Sequence, residues 1–254
     1  MGDSPLPWRL ISFSALTIFV IIVHAKTTEG SCDRGEFTGK SWEFHGTTES
    51  YIVAPGSFPD MSDFSVCFWV KTSDQLQQQF AFFTYSVPGY PNEIALAVVS
   101  NDVLYLMMNH SPDDFGSRLS IYDFVGKYNM TDGQWHHLCM VLTQSAHFFA
   151  DGHQENFILD ALDTPFSGGG ILVIGQLLNS HSSTDFKSSF PFAGRMSDFN
   201  IWSYTISQTE VTMLNNQGQT SLCGNVLAYA NFVTGDLFNV YVEAEPSFGG
   251  CLWE

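Results

Sequence analysis

Positive charge is scarce in this sequence. Nine lysines and arginines stand against 26 aspartates and glutamates in 254 residues, a formal net charge of −17. A surface of that sign repels phosphate backbones and anionic bilayers, which argues against nucleic acid and anionic membrane as partners. The acids are dispersed in small groups such as Asp60/Asp63, Asp113/Asp114 and Glu243/Glu245 rather than run together. Either a solvated acidic surface or an attraction for cations accounts for them.

Long apolar runs are missing everywhere except near the N-terminus. Leu10 to Val23, LISFSALTIFVIIV, follows Arg9 and precedes the small residues Val23 and Ala25, the spacing that a signal peptidase reads. The run is shorter than the ~20 apolar residues of a bilayer span. Residues 1–25 are therefore read as a signal peptide, and residues 26–254 as an exported, extracellular chain with no membrane span in its mature form. Cysteine is also sparse. Five remain, Cys32, Cys67, Cys139, Cys223 and Cys251, and an odd number in an oxidising compartment leaves one to pair between chains or stay free. Asn109-His-Ser111 and Asn129-Met-Thr131 are glycosylation sequons, the first weakened by Pro112.

Helical periodicity is nearly absent, and alternation takes its place. In the stretch from Asp132 to Gln154, Leu138, Met140 and Leu142 alternate with His137, Cys139, Val141 and Thr143, and Asp151-Gly152 is the composition of a type I′ hairpin turn. Upstream, Phe64, Val66, Phe68 and Val70 form one face of a second strand with Cys67 on the other. Two strands with cysteines on matching faces can be sheet neighbours joined by a disulfide. Further short strands are predicted at Ser41 to His45, Ser50 to Val53, Phe80 to Tyr85, Glu93 to Val99, Val103 to Met108 and Leu119 to Val125, while Cys32 to Lys40 is read as a polar loop. One helix is predicted near 207–216, from the capping box Ser207-Gln-Thr-Glu210 followed by Val211 and Leu214. The pattern predicts an all-β, two-sheet antiparallel sandwich in a single domain with its strand core over about 41–254.

Catalytic constellations are lacking too. No serine sits in a Gly-x-Ser-x-Gly elbow, and no strand carries closely spaced carboxylates of the kind glycoside hydrolysis needs. His136 and His137 are adjacent in a strand, point to opposite faces and cannot share one ion. The chain is read as a binding protein, not an enzyme.

Phe64-Ser-Val-Cys67-Phe-Trp-Val-Lys-Thr, Phe83-Thr-Tyr-Ser86, Asn92-Glu-Ile94, Trp135-His-His137-Leu-Cys139, Asp151-Gly152, Gly169 to Gln176 and Phe192 to Trp202 together, in this order, resemble the pentraxin family. The resemblance implies a jelly-roll sandwich of the concanavalin/laminin-G-like type. It leans toward the N-terminal pentraxin-like modules of adhesion-type G-protein-coupled receptors, in the long segment between Gly175 and Ser189-Phe-Pro191 and in Cys223-Gly-Asn-Val226 followed by the distant Cys251. Of the family signature around its second cysteine only His137 and Cys139 are kept, with Val141, Leu142 and Gln144 at the later positions. The resemblance implies a Cys67–Cys139 disulfide and pairs Cys223 with Cys251, which leaves Cys32, near the mature N-terminus, as the odd cysteine.

It also implies calcium. Pentraxins hold two ions through an Asp-Asn pair and a Gln-Glu-Gln-Asp run followed by two later ligands. Here Pro91 stands at the aspartate beside Asn92, and Leu177, Leu178 and Asn179 follow the retained Gln176, with Lys187 and Phe190 at the last two positions. Calcium takes six to eight oxygens, preferably charged ones. The paired site is predicted to be lost or weak, leaving at most one weak ion at Asn92 and Asn179. The expected function is recognition or adhesion, with an extracellular glycan or protein ligand and copies of the chain itself as partners; the alternative is a structural domain of a larger extracellular or receptor protein whose role is homo-oligomer formation.

Overall fold

The structure, a computed structural model, describes residues 35–37, 39–72, 79–99, 103–108, 117–121, 124–130, 132–155, 159–160, 166–216 and 222–244. The chain divides between Gly30 and Ser31 into two units, and every element below belongs to the second. The signal-peptide expectation, Cys32, the Asn109 sequon and Cys251 lie outside the described residues.

Fifteen strands are assigned within the described residues: β1 (Lys40–His45), β2 (Tyr51–Val53), β3 (Phe64–Thr72), β4 (Phe80–Val87), β5 (Tyr90–Val99), β6 (Val103–Met108), β7 (Ser117–Ile121), β8 (His136–Leu142), β9 (Ser145–Ala150), β10 (His153–Gln154), β11 (Leu159–Asp160), β12 (Ile171–Ile174), β13 (Ala193–Trp202), β14 (Leu237–Phe238) and β15 (Tyr241–Ala244). The helices are α1 (Phe124–Lys127) and α2 (Gln208–Asn215). One sheet runs β10-β9-β8-β3-β13-β1-β15, with β11 also on β9, and the other runs β14-β2-β12-β4-β5-β6-β7. All the pairs are antiparallel, so the architecture is the expected two-sheet jelly-roll sandwich.

Alternation decides which side chains meet between the sheets. Phe64, Val66, Phe68 and Val70 of β3 enter the central core together with Leu138, Met140 and Leu142 of β8. Phe68 packs on Phe82 and Phe199 at 5.4 Å each, and Phe83 meets Phe199 edge-on at 5.7 Å. Each fully buried phenylalanine contributes about 1.5–3 kcal/mol, so this aromatic packing holds the two sheets together. Cys67 and Cys139 point the other way, directly opposite each other in register, and are disulfide-bonded with Cα atoms 4.2 Å apart.

That outer face is covered by α2, whose Val211 and Leu214 pack with Trp202, Ile206, Phe149 and the disulfide. The helix starts where its capping box predicts. Ser207 Oγ accepts from the Glu210 backbone N–H, and Glu210 Oε2 accepts from the Ser207 N–H at 2.6 Å. At the β9–β10 hairpin Asp151 and Gly152 both take positive φ, 48° and 78°, as a type I′ turn requires.

Two local readings differ from the structure. The strand expected over Leu119 to Val125 ends at Ile121, and Phe124 begins the one-turn helix α1, which seats Phe124 in the core. Within the segment read as a polar loop, Gly35–Phe37 forms a 3₁₀ turn because Phe37 is an anchor, packed 5.7 Å from Trp42 and 6.0 Å from Tyr229. In both places one aromatic ring entering the core overrides a weak local pattern.

Candidate functional site

The segment from Gln176 to Phe190, which the resemblance assigns to calcium, lies on the outer face of the β14-to-β7 sheet. It leaves β12 through Gly175, where φ is +88° and an added Cβ would stand 2.7 Å from the Phe44 ring, so only glycine fits. The segment then doubles back on itself. Asn179 N–H donates to the Asp185 carbonyl and Lys187 N–H to the Leu177 carbonyl, both at 2.8 Å, while Leu178 bridges Phe186.

Apolar pegs fasten it to the sheet. Leu177 is buried among Ala81, Ala95 and Ala97, whose small side chains on β4 and β5 leave the room it fills. Leu178 is buried against Tyr51 and Val173. Gln176 is fully buried as well, and its amide nitrogen donates to the carbonyls of Thr47 at 2.7 Å and Ser50 at 2.9 Å. A position that the resemblance gives to an ion thus anchors the turn between β1 and β2.

Asn92, at the start of β5, is buried with its Oδ1 lacking a hydrogen-bond partner, whereas Asn179 is exposed. The Asn179 amide donates to the Phe186 carbonyl at 3.0 Å and to Asp185 Oδ1 at 3.3 Å. Asp185 is the acid of this segment, and hydrogen bonds from Ser180 and Asn179 hold its carboxyl below the ordinary range. Beside it, Ser86 Oγ lies 3.1 Å from His181 Nδ1, a tie between β4 and the tip of the segment. A hard cation entering here would find mainly neutral amide and carbonyl oxygens.

The histidines have structural settings. His136 lies between two carboxylates, with Nδ1 2.9 Å from Asp151 Oδ2 and Nε2 3.3 Å from Asp132 Oδ1; the hydrogen bond to Asp151 raises its pKa, and burial opposes that rise. His137 packs on Trp69 with ring centroids 4.9 Å apart and planes tilted by 36°, and burial pushes its pKa down to about 3. Its Nε2 is 3.6 Å from Cys139 Sγ, and Cys67, His137 and Cys139 form the one metal-like cluster among the described residues. Both sulfurs are already spent in the disulfide, so the cluster offers a metal no thiolate. Cys223 is also disulfide-bonded, to a partner outside the described residues. Asn129 is exposed with φ 51°, and its amide donates to Asp132 at 3.2 Å.

On the side of the segment facing β14 and β2 is an open groove of about 640 Å³. Its rings are Tyr51, Phe186 and Phe238, and its polar rim comes from the β1–β2 turn, the 184–188 stretch and Asn239. The rings belong to three distant parts of the chain, and no spacing in the sequence signals that they meet.

The laminin-G family model described as the concanavalin A-like lectin/glucanases superfamily matches residues 45–212. The chain belongs to this superfamily. Among curated proteins it is 30% identical to human neuronal pentraxin-1 over 191 residues, covering 72% of this chain and 40% of that protein, and 28% identical to neuronal pentraxin-2 of Cavia porcellus over 182 residues, covering 69% and 39%. The chain spans about two fifths of the length of these relatives. Among solved structures it is similar to a heptameric SAP-like pentraxin from Limulus polyphemus, with TM-score 0.67, 19% identity and coverage of 85% of this chain and 99% of that one. It is also similar to the full extracellular region of zebrafish Gpr126/Adgrg6, with TM-score 0.62, 17% identity and coverage of 85% and 28%. The fold is therefore pentraxin-like.

Proposed function

We propose that this chain is an extracellular recognition or adhesion module that binds glycans or cell-surface ligands without the paired calcium site that the resemblance implies. The observation that supports the reading most is the seating of Leu177 and Leu178: buried alkyl groups hold the 176–190 segment in place where the resemblance calls for calcium ligands. A rigid sandwich that presents loops in this way can hold a binding surface in place. The exported location rests on the N-terminal apolar run and on the extracellular region named among the similar structures. The test is binding of the purified chain to cell surfaces by flow cytometry, in millimolar calcium and in chelator. Equal binding in both is expected; binding abolished by chelator would overturn the calcium-free reading.

A second reading is self-association. The heptameric state named for the Limulus structure prompts it, and β15 favours it: among the described residues this strand is the last of its sheet, with Tyr241 59% and Val242 37% exposed. Light scattering with and without reductant, repeated on Cys32→Ser, tests it. A monomer under all conditions removes this reading, and an unchanged oligomer in Cys32→Ser removes a role for the odd cysteine.

A further inference from the structure

Phe238 lies flat on Tyr51, ring centroids 4.6 Å apart and planes 9° from parallel, while 42% of the residue stays open to solvent. A flat ring left open inside a concavity is a surface on which a ligand face can stack. The ring is also fixed in place. Tyr51 and Phe238 are register partners across β2 and β14, so the sheet itself sets their stack.

The rest of the groove is held as firmly. Gln176 locks the turn that carries Thr48 and Glu49, and hydrogen bonds from Asn179 and Ser180 lock Asp185. Phe186 is braced against Tyr51 at 4.7 Å. A site with three immobilised walls pays little ordering entropy when a ligand enters.

The lining chemistry selects the ligand. Carboxylates come from Glu49 and Asp185, hydroxyls from Thr48, Thr184 and Ser188, and an amide from Asn239; among the described residues no lysine, arginine or histidine lines the groove. An anionic ligand would meet two like charges. A wholly apolar ligand would strip water from the carboxylates and hydroxyls and return no hydrogen bond. An organic cation would satisfy the carboxylates and the ring face, yet would leave three hydroxyls and the amide unused. A pyranose uses all of them: its C–H face lies on the negative face of an aromatic ring, and its hydroxyls both donate to carboxylates and accept from hydroxyl and amide groups. The volume suits one or two sugar residues and falls within the ordinary range of ligand sites, roughly 300–1,000 Å³.

We infer that the groove between Phe238, Glu49 and Asp185 is a subsite for an uncharged pyranose residue of a glycan, stacked on Phe238 and hydrogen-bonded along its rim, and that it works without calcium. This rests on the recognition reading above and specifies its site. None of Asn92, Gln176, Leu177, Leu178, Asn179, Lys187 or Phe190, the positions related to calcium, lines the groove.

The experiment is a glycan array in chelator carrying neutral, sialylated and sulfated glycans beside a basic peptide, probed with the wild-type chain, Phe238→Ala, Glu49→Gln and the control Met213→Ala, an exposed change on α2. Neutral glycans bind the wild type and the control alike, and Phe238→Ala lowers that affinity by about tenfold or more. Because a variant can fail by misfolding, saturation-transfer NMR on the wild type is the second measurement, and contact between a neutral sugar and aromatic ring protons of the groove is expected. Neutral-glycan binding undiminished in a folded Phe238→Ala, preference for sialylated or sulfated glycans, binding of the basic peptide alone, or a sugar with no ring contact each overturns the subsite. If the wild type binds cells but no glycan, the subsite fails and the recognition reading stands; if it binds neither, both fail.

Discussion

The side-chain amide of Gln176 donates to the backbone carbonyls of Thr47 and Ser50, joining the end of β12 to the turn ahead of β2 from a fully buried position. Gln176→Ala leaves those carbonyls without this donor inside the protein. The expected loss is about 1–3 kcal/mol, because the Ser50 carbonyl loses this donor in a buried setting, while the Thr47 carbonyl keeps the Ser50 N–H. Urea unfolding measures it, and calcium does not restore the lost stability. A variant with the wild-type midpoint would show that this anchor carries nothing.

Calcium itself is the next expectation. Affinity for this ion grows with the number of carboxylates at the site, and the positions that the resemblance gives to calcium hold Pro91, Asn92, Gln176, Leu177, Leu178, Asn179, Lys187 and Phe190. Any ion bound only by the folded state stabilises it in proportion to the logarithm of its saturation, about 2.7 kcal/mol at a hundred times the dissociation constant. Thermal unfolding in chelator and in millimolar calcium is therefore expected to coincide, and calorimetric titration is expected to show no two-ion saturation. A melting shift of several degrees would mean that carboxylates from elsewhere complete the site.

The Cys67–Cys139 bond closes a loop with a sequence separation of 72 residues. The chain-entropy model assigns such a closure about 4 kcal/mol. Its cover by Val211 and Leu214 also keeps reductants out, so the folded protein resists reduction and yields the bond only on unfolding. The double variant Cys67→Ala/Cys139→Ala is expected to remain a sandwich, because Phe68, Phe82 and Phe199 pack independently of the sulfurs. A loss of less than about 1 kcal/mol in chemical denaturation would contradict the entropic account.

The β3 and β8 registers could be read from alternation because one face of each is buried in the core and the other lies under a helix, so every second residue carries a clear preference. The start of α2 was legible for a similar local reason, since Ser207 and Glu210 satisfy each other's backbone donors within one turn. Helix α1 was not, because four residues complete only one turn and leave no period to detect. At the candidate site, the replacement of ligands by Leu177 and Leu178 was visible in the sequence, but their role as pegs was not. Their seats are alanines on β4 and β5 and a tyrosine on β2, brought together only by sheet pairing. The groove is less legible still, because its stacked rings meet through the pairing of β2 with β14.

The two adjacent histidines give stability an optimum in pH. His136 is flanked by Asp151 and Asp132, and its folded pKa lies above the ordinary 6.5. The stability contributed by its protonated form is fully present below about 6.5 and is lost as pH rises through the folded value. His137 has the opposite sign. Buried against Trp69, it stays neutral down to about pH 3 in the folded state, whereas an unfolded histidine protonates below about 6.5. Each pH unit of descent below that point therefore costs about 1.4 kcal/mol. Asp132 and Asp151, both held below the ordinary carboxyl value, add to the acid loss only below about pH 4, where unfolded aspartates take up protons. Stability is thus expected to peak near pH 6.5 and to fall on both sides, as measured by urea midpoints across the range. His136→Gln flattens the alkaline side and His137→Phe the upper part of the acid side. A peak left in place by both variants would show that other groups set it.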